Sequence, residues 1–348
     1  MPAKEREFQV SQSRIIVVGA GVAGLCCALE LSERGYSVEV VERGRTLGDG
    51  CCSWMAGGML APWCERAGTD PVIAARGAPS IAWWTRHYPG TVHEGTLVVA
   101  HPRDTVELTR FADRTERYER IDGARIAELE PDLAGRFRQG LFFAEEAHVD
   151  PRRALMALAE ALRRRGVPIR FGTEASPTGI QAPLVVDCRG LAAREALTDL
   201  RGVRGEMLVI RSRDVRFSRP VRLLHPRIPL YIVPRGDGVF MVGATMIESD
   251  TRSGPTVRST LELLNAAYAL HPAFAEAEIL EINADVRPAF PDNIPAVRRI
   301  GRTLHPNGLY RHGFLLAPDL ARQVADSAAE LLPPLEMIDA DLRQRRPA

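Results

Sequence analysis

An unbroken apolar run at residues 15–18, Ile-Ile-Val-Val, is β-branched throughout. Such a run reads as a parallel strand buried on both faces. A helical pattern follows, with Leu25, Ala28, Leu29 and Ser32 on one face. Gly35 stands where a glycine is expected just past a helix end. Ser37–Val41 then alternates as a second strand. Strand, helix and strand in this order predict a parallel βαβ unit.

Further along, residues 79–88 read as a helix stopped by Pro89-Gly90, and Thr96–Ala100 as a strand. Residues 103–117 form an amphipathic pattern, and 124–130 a shorter helix ended by Pro131. His148-Val149-Asp150-Pro151 opens a helix, with Asp150 as cap, Pro151 at the first position and Leu155, Leu158, Ala159 and Leu162 as its apolar stripe. Arg163, Arg164 and Arg165 close it before Gly166; cations are favourable there against the helix dipole, which explains the triplet without a phosphate. Residues 183–190 read as a buried strand entering a glycine turn.

Beyond that point the period becomes two. Residues 206–211, 230–233 and 239–244 read as strands, with Arg235-Gly236-Asp237-Gly238 as a hairpin turn. Val257–Leu270 reads as a helix, 279–286 as a strand, and 308–317 with 320–332 as a last strand-turn-helix. A parallel α/β unit interrupted by antiparallel strands predicts an α/β protein with a discontinuous Rossmann-like domain. That domain is expected at residues 1–90, 145–204 and 286–348, around an inserted α+β domain on an antiparallel sheet at 91–144 and 205–285. No internal repeat interrupts this pattern.

Composition narrows the chemistry. The 348 residues are 45% hydrophobic and 26% charged, the proportions of an ordinary globular protein. A formal net charge of +1 argues against nucleic acid or an anionic membrane as partner. Residues 1–13 lack the apolar core of a signal peptide, and no run approaches a membrane span, so a cytoplasmic location is expected. The six cysteines, 26, 27, 51, 52, 64 and 188, show no C-x-x-C spacing and are expected as reduced thiols. Lys4 is the only lysine, in a tail expected to fray, which leaves no buried Schiff-base lysine and no nucleotide-binding P-loop. His87, His93 and His101 are too irregular in spacing for a metal site, and Trp83-Trp84 reads as helix packing.

Between the first strand and helix lies Gly19-Ala20-Gly21-Val22-Ala23-Gly24. Gly19 permits the tight turn, Gly21 lets the backbone approach a pyrophosphate, and Gly24 lets the helix pack closely. Glu42, at the end of the second strand, suits the two hydroxyls of an adenosine ribose. There is no second such motif, so one dinucleotide is expected. Residues 44–58 form a loop of small residues suited to close approach by a ligand.

Three features together resemble the D-amino-acid oxidase superfamily of flavoproteins: the glycine motif with Glu42, the stretch Ala56-Gly57-Gly58-Met59-Leu60-Ala61-Pro62, and His148-Val149-Asp150-Pro151. More narrowly, Tyr231-Ile232-Val233-Pro234-Arg235 with Val242-Gly243-Ala244-Thr245-Met246, Arg287-Pro288, and the stretch from Tyr310 to Pro318 resemble its glycine oxidase branch of thiamine biosynthesis. The resemblance implies FAD, held without a covalent bond, on Val22, Ala23, Glu42, Arg43, Cys52, Ser53, Gly57, Gly58, Met59 and Ala175. It adds Leu309, Tyr310, His312, Gly313, Phe314 and Leu315. It implies substrate contacts at Arg287 and Arg311, with Tyr231 lining the pocket. Small residues near a flavin ring leave the substrate carbon free to approach, and a guanidinium receives a carboxylate with two prongs.

The chain departs from the family in two places: it is short between Phe171 and Leu184, and it carries Asp319 where small residues are usual. The implied activity is oxidation of glycine to iminoacetate, with oxygen forming peroxide, by a homotetramer. A related D-amino-acid or sarcosine oxidase or dehydrogenase, and a non-catalytic dinucleotide-binding protein, are the alternatives.

Overall fold

The computed structural model describes residues 14–225 and 230–332. Lys4 and residues 1–13 lie outside the described residues. The chain divides into two compact units, Met1–Trp54 with Arg152–Arg201 and Arg287–Ala348, and Met55–Pro151 with Gly202–Val286. These bounds differ from the expected ones: residues 55–90 and 145–151 cluster within the second unit. The helix Pro71–His87 packs on the helix Pro62–Arg66 and the strand Met59–Leu60, which ladders with Ala147–His148.

The first unit holds a six-stranded sheet in the order Ala296–Ile300, Thr303–Asn307, Leu184–Asp187, Arg14–Val18, Ser37–Val41, Ile169–Arg170. All neighbours run parallel except the outermost pair, Ala296–Ile300 with Thr303–Asn307. The helix Val22–Glu33 packs on this sheet and along the helix Gly313–Leu331, which is why it is apolar nearly all round. It ends at Glu33 with Gly35 at φ +86°, the cap its sequence predicts. The helix Pro151–Arg164 starts at its proline. Arg163 pairs with Glu160 at 2.7 Å and Arg165 with Glu33 at 2.9 Å, so two of the three arginines serve the helix ends.

The second unit holds a nine-stranded, mainly antiparallel sheet. Its long strand Arg201–Arg211 pairs with Val239–Gly243, which pairs with Leu230–Pro234, then Val221–Leu224 and Thr96–Ala100. Alternation sends Leu97 and Val99 to a core shared with the helix Val257–Leu270, and Val98 and Ala100 to a core with Cys64, Leu108 and Phe111 on the other face.

Three expected elements are corrected. The helix expected at 79–88 runs Pro71–His87, because Asp70 caps it by accepting the Val72 N–H at 2.9 Å and Pro71 takes the first turn; Pro79 sits inside the helix. The helix expected at 103–117 is only Thr105–Ala112, after a short turn at Pro102–Asp104. The strand expected at 308–317 is a helix from Gly313 onward, with the strand earlier, at Thr303–Asn307. Phe314 to Ala321 are buried without a break, and a segment buried all round carries no period to separate helix from strand.

Candidate functional site

In the first unit the strand Arg14–Val18 has its neighbours on opposite sides, Ser37–Val41 and Leu184–Asp187. Its carboxyl end is a topological switch point, where open α/β sheets bind ligands. The glycine loop leaves from there, with the Gly19 N–H donating to the Val41 carbonyl and the Cys188 N–H to the Val18 carbonyl, both at 2.8 Å. Gly19 has φ +104°, and a Cβ there would lie 2.7 Å from the Cys188 carbonyl oxygen. A Cβ on Gly24 would lie 1.8 Å from the Gly19 carbonyl oxygen, so only glycine fits. At Gly21 an added Cβ would meet the Cys51 Sγ at 3.2 Å and the Ser53 Oγ at 3.4 Å.

Gly21 caps the helix with no side chain, so the first-turn N–H groups of Val22, Ala23 and Gly24 sit at the positive end of the helix dipole. Ser53 takes the Val22 N–H at 3.2 Å, and Cys52 begins the short turn that carries it. Burial pushes the neighbouring Cys51 thiol up. Glu42 accepts from Ala20 N–H at 2.6 Å and Gly44 N–H at 2.7 Å, one on each oxygen, leaving each oxygen capacity for a further donor. Arg43 is exposed. The Thr173 N–H donates to the Glu42 carbonyl at 2.9 Å, and Ala175, two residues on, packs against the apolar cluster that holds Val18, Val41 and Val185.

A second helix terminus meets the first. A Cβ on Gly313 would lie 3.7 Å from the Val22 Cγ1, so the helices Val22–Glu33 and Gly313–Leu331 present adjacent amino ends. Leu309, Tyr310, Arg311 and His312 form the turn into that helix, closed by the His312 N–H on the Leu309 carbonyl at 2.8 Å. Tyr310 adopts φ +50° within it. The Tyr310 N–H donates to the Pro288 carbonyl at 2.9 Å, and Arg287 immediately precedes Pro288. The structure therefore brings together the segments that carry Arg287 and Arg311. Phe314 and Leu315 are buried in the helix, so their side chains serve the core.

The second unit holds Tyr231, Gly57, Gly58 and Met59. The Tyr231 ring lies against Gly57, where an added Cβ would sit 2.9 Å from the ring Cε2. Gly58 has φ +73°, and a Cβ there would fall 2.2 Å from the Val149 carbonyl oxygen. Met59 pairs with His148 in the short ladder. Burial, with Arg235 and Arg219 adding to it, pushes His148 down to about 3, so it is neutral near pH 7.

Two groups beside these loops escaped the sequence reading. Asp187 ends its strand beside the glycine loop and takes the Arg189 guanidinium at 2.8 and 2.9 Å; the Asp-Cys-Arg-Gly run was the signal, and only its strand was read. Arg235 reaches three backbone carbonyls of the second unit. In the sequence Arg235 carries only the signal of a hairpin turn residue. Among the described residues no group of three or more His, Cys, Asp or Glu side chains suits a metal ion.

A glycine cradle that leaves no room for side chains, a strand-end carboxylate and two adjoining helix amino ends fit a dinucleotide pyrophosphate and ribose. A Rhizobium etli protein provisionally assigned as the thiamine biosynthesis oxidoreductase ThiO is 56% identical over 313 residues, 90% of this chain and 95% of that protein. Glycine oxidase of Pseudomonas aeruginosa is 26% identical, over 90% of this chain and 94% of its own. The crystal structure of glycine oxidase from Geobacillus kaustophilus has the same fold, with a TM-score of 0.76 at 23% identity, covering 91% of this chain and 95% of that one. Residues 14–327 match the family model described as FAD dependent oxidoreductase, and the chain belongs to that family.

Proposed function

We propose that the protein is a glycine oxidase. Glycine loses two electrons and two protons to become iminoacetate, oxygen takes them up to form hydrogen peroxide, and water converts the imine to glyoxylate and ammonia. FAD, when bound, accepts the hydride from the substrate α-carbon and passes the electrons to oxygen. The observation that carries the reading is the Tyr310–Pro288 hydrogen bond of 2.9 Å, which joins the segments of Arg287 and Arg311 within the unit that holds the glycine cradle. Two guanidinium groups supply the paired donors that an amino-acid carboxylate requires.

In this reading Gly19, Gly21, Val22, Ala23 and Gly24 receive the pyrophosphate, and Glu42 and Arg43 the ribose. Ala175 lies on the adenine side. Cys52, Ser53, Gly57, Gly58, Met59 and the run of Leu309, Tyr310, His312, Gly313, Phe314 and Leu315 hold the rest of the cofactor. Arg287 and Arg311 orient the substrate by its carboxylate, and Tyr231 walls the pocket. Hydride transfer from a fixed α-carbon asks for position before acid–base help. The link to thiamine thiazole formation is supported by the Rhizobium etli relative's assignment. No helix of the described residues is long and apolar enough to cross a membrane. A cytoplasmic homo-oligomer, on the family pattern a tetramer, completes the reading.

The test is a peroxide assay of FAD-loaded protein across glycine, sarcosine and small D-amino acids, repeated with an artificial electron acceptor. Preferred turnover of glycine with oxygen supports the proposal. Preference for sarcosine or a D-amino acid assigns the related oxidase. Turnover with the artificial acceptor alone assigns a dehydrogenase, and a yellow protein that turns over nothing is a binding protein.

A further inference from the structure

Arg235 is anchored before its side chain reaches anything. It leaves the strand Leu230–Pro234 at a hairpin turn, where its N–H donates to the Val239 carbonyl at 2.8 Å and the Val239 N–H returns to the Gly236 carbonyl at 2.9 Å. Asp237 and Gly238 take positive φ, 52° and 70°, as the two central residues of such a turn require, and Gly236 also has φ 83°. From this base the guanidinium Nη1 donates to the Val149 carbonyl at 2.9 Å. The Nη2 donates to the Ala56 carbonyl at 3.0 Å and the Gly57 carbonyl at 2.8 Å.

Tyr231, within the strand, and Arg235, at the turn just past its end, both reach Gly57. Gly57 is held at two points: the Tyr231 ring closes on its α-carbon, 2.9 Å from where a Cβ would stand, and Arg235 takes its carbonyl. Gly58 then accepts the Val149 N–H at 2.9 Å, while Arg235 takes the Val149 carbonyl. One side chain thus ties the loop at residues 56–58 to the segment that precedes the helix Pro151–Arg164.

The orientation of the loop follows. In a trans peptide the N–H points opposite to the carbonyl of the same unit. The Ala56 and Gly57 carbonyls converge on one guanidinium nitrogen, so the Gly57 and Gly58 N–H groups both lie on the side of the backbone away from it. Successive N–H groups on one side of the backbone suit an electron-rich edge, and donors fixed in advance favour negative charge that develops there.

We propose that Arg235 is a positioning residue: through the Ala56 and Gly57 carbonyls it holds the Gly57 and Gly58 N–H groups as paired donors to the ring of bound FAD. It thereby sets the affinity and the reduction potential of the flavin without touching it. The inference rests on the placement of Gly57 and Gly58 against the cofactor in the proposed function, and not on the identity of the substrate.

The experiment measures the FAD dissociation constant of the apoprotein and the flavin midpoint potential for Arg235→Ala, Arg235→Lys and Gly57→Ala. With Arg235→Ala, affinity falls about ten- to hundredfold, the loss expected for hydrogen bonds to a charged donor. The potential moves negative, because the reduced ring loses donors that favour its negative charge. Lysine recovers part of the affinity, since an ammonium lacks the planar fork that spans carbonyls on two segments. Gly57→Ala keeps Arg235 but forces the Tyr231 ring away, and shifts the potential in the same direction. An unchanged potential in folded Arg235→Ala overturns the proposal. If that variant does not fold, unchanged values in both Arg235→Lys and Gly57→Ala overturn it. A parent protein that binds FAD but leaves glycine untouched removes the proposed substrate and leaves this inference standing.

Discussion

The Glu42 carboxylate closes back on the glycine loop it follows, taking the Ala20 N–H at 2.6 Å on one oxygen and the Gly44 N–H at 2.7 Å on the other. Sequence alone suggests that Glu42→Ala should weaken FAD retention and leave the fold intact. The two backbone bonds change that expectation. Glu42→Ala should lower both FAD affinity, by about ten- to hundredfold, and the melting temperature of the apoprotein. Glu42→Gln, which keeps one acceptor, should restore most of the melting temperature and less of the affinity. Flavin absorbance and differential scanning fluorimetry read the two effects separately, and unchanged flavin content in the alanine variant would remove Glu42 from the ribose site.

Gly24 and Gly21 should behave differently under the same substitution. Gly24→Ala forces a methyl to within 1.8 Å of the Gly19 carbonyl oxygen, backbone that cannot yield cheaply. It should cost at least about 1–3 kcal/mol and abolish FAD binding. Gly21→Ala meets only the Cys51 and Ser53 side chains, at 3.2 and 3.4 Å, and should fold while binding FAD more weakly. Urea melts and FAD titrations check both; equal stability of Gly24→Ala and the parent would contradict the helix–loop contact.

Arg287→Ala should lower kcat/KM for glycine by about two to four orders of magnitude with FAD still bound, because loss of a partner to a buried charge costs roughly 3–5 kcal/mol. Arg287→Lys should recover part of that, since a point charge cannot reproduce a two-pronged contact. Amines without a carboxylate should be poor substrates of the parent and lose little more in either variant. Steady-state kinetics on both substrate classes decides: normal glycine oxidation by the alanine variant would leave the amino-acid assignment without its carboxylate anchor.

Glu146 should make the protein less stable in mild alkali. Its Oε1 accepts the Cys64 N–H at 2.7 Å, and burial, with Glu65 adding to it, pushes its carboxyl up from 4.5 to about 8. Between those values the folded state holds a proton the unfolded chain has released, so stability falls as pH rises through the window. His148 acts oppositely: held down at about 3 against an ordinary 6.5, it makes stability rise with pH up to about 6.5. From about pH 6.5 to 8 Glu146 acts alone of the two and should cost about 2 kcal/mol. Glu146→Gln keeps the acceptor and removes the titration, so its urea midpoint should stay level across that range. A parallel decline in both proteins would show that another group is responsible.

The glycine loop and its strand-end acid were legible because their determinants are local. A β-branched run, glycines whose positive φ or missing Cβ the turn demands, and an acid at the next strand end lie within about thirty residues, and each constrains the backbone by its own covalent nature. The hairpin at Arg235-Gly236-Asp237-Gly238 was legible for the same reason. The helix expected at 320–332 was legible but its first turns, from Gly313, were not, because burial on every side there erased the polar positions that reveal a period.

Tertiary structure alone decided the rest, since the partners are remote in the chain. Arg235 meets Val149 across 86 positions and Ala56 across 179, and a solvated arginine in a turn looks no different from one that holds a loop. The Tyr310 N–H finds Pro288 only after the strand Glu278–Ala289 and the final turn are packed, so the pairing of the Arg287 and Arg311 segments belongs to the fold. By itself the sequence determined the dinucleotide cradle, whose conformation is written in glycine and β-branched residues. Only packing, which joins groups by distance in space and not by spacing along the chain, decided which arginines stand beside the glycine-rich loops.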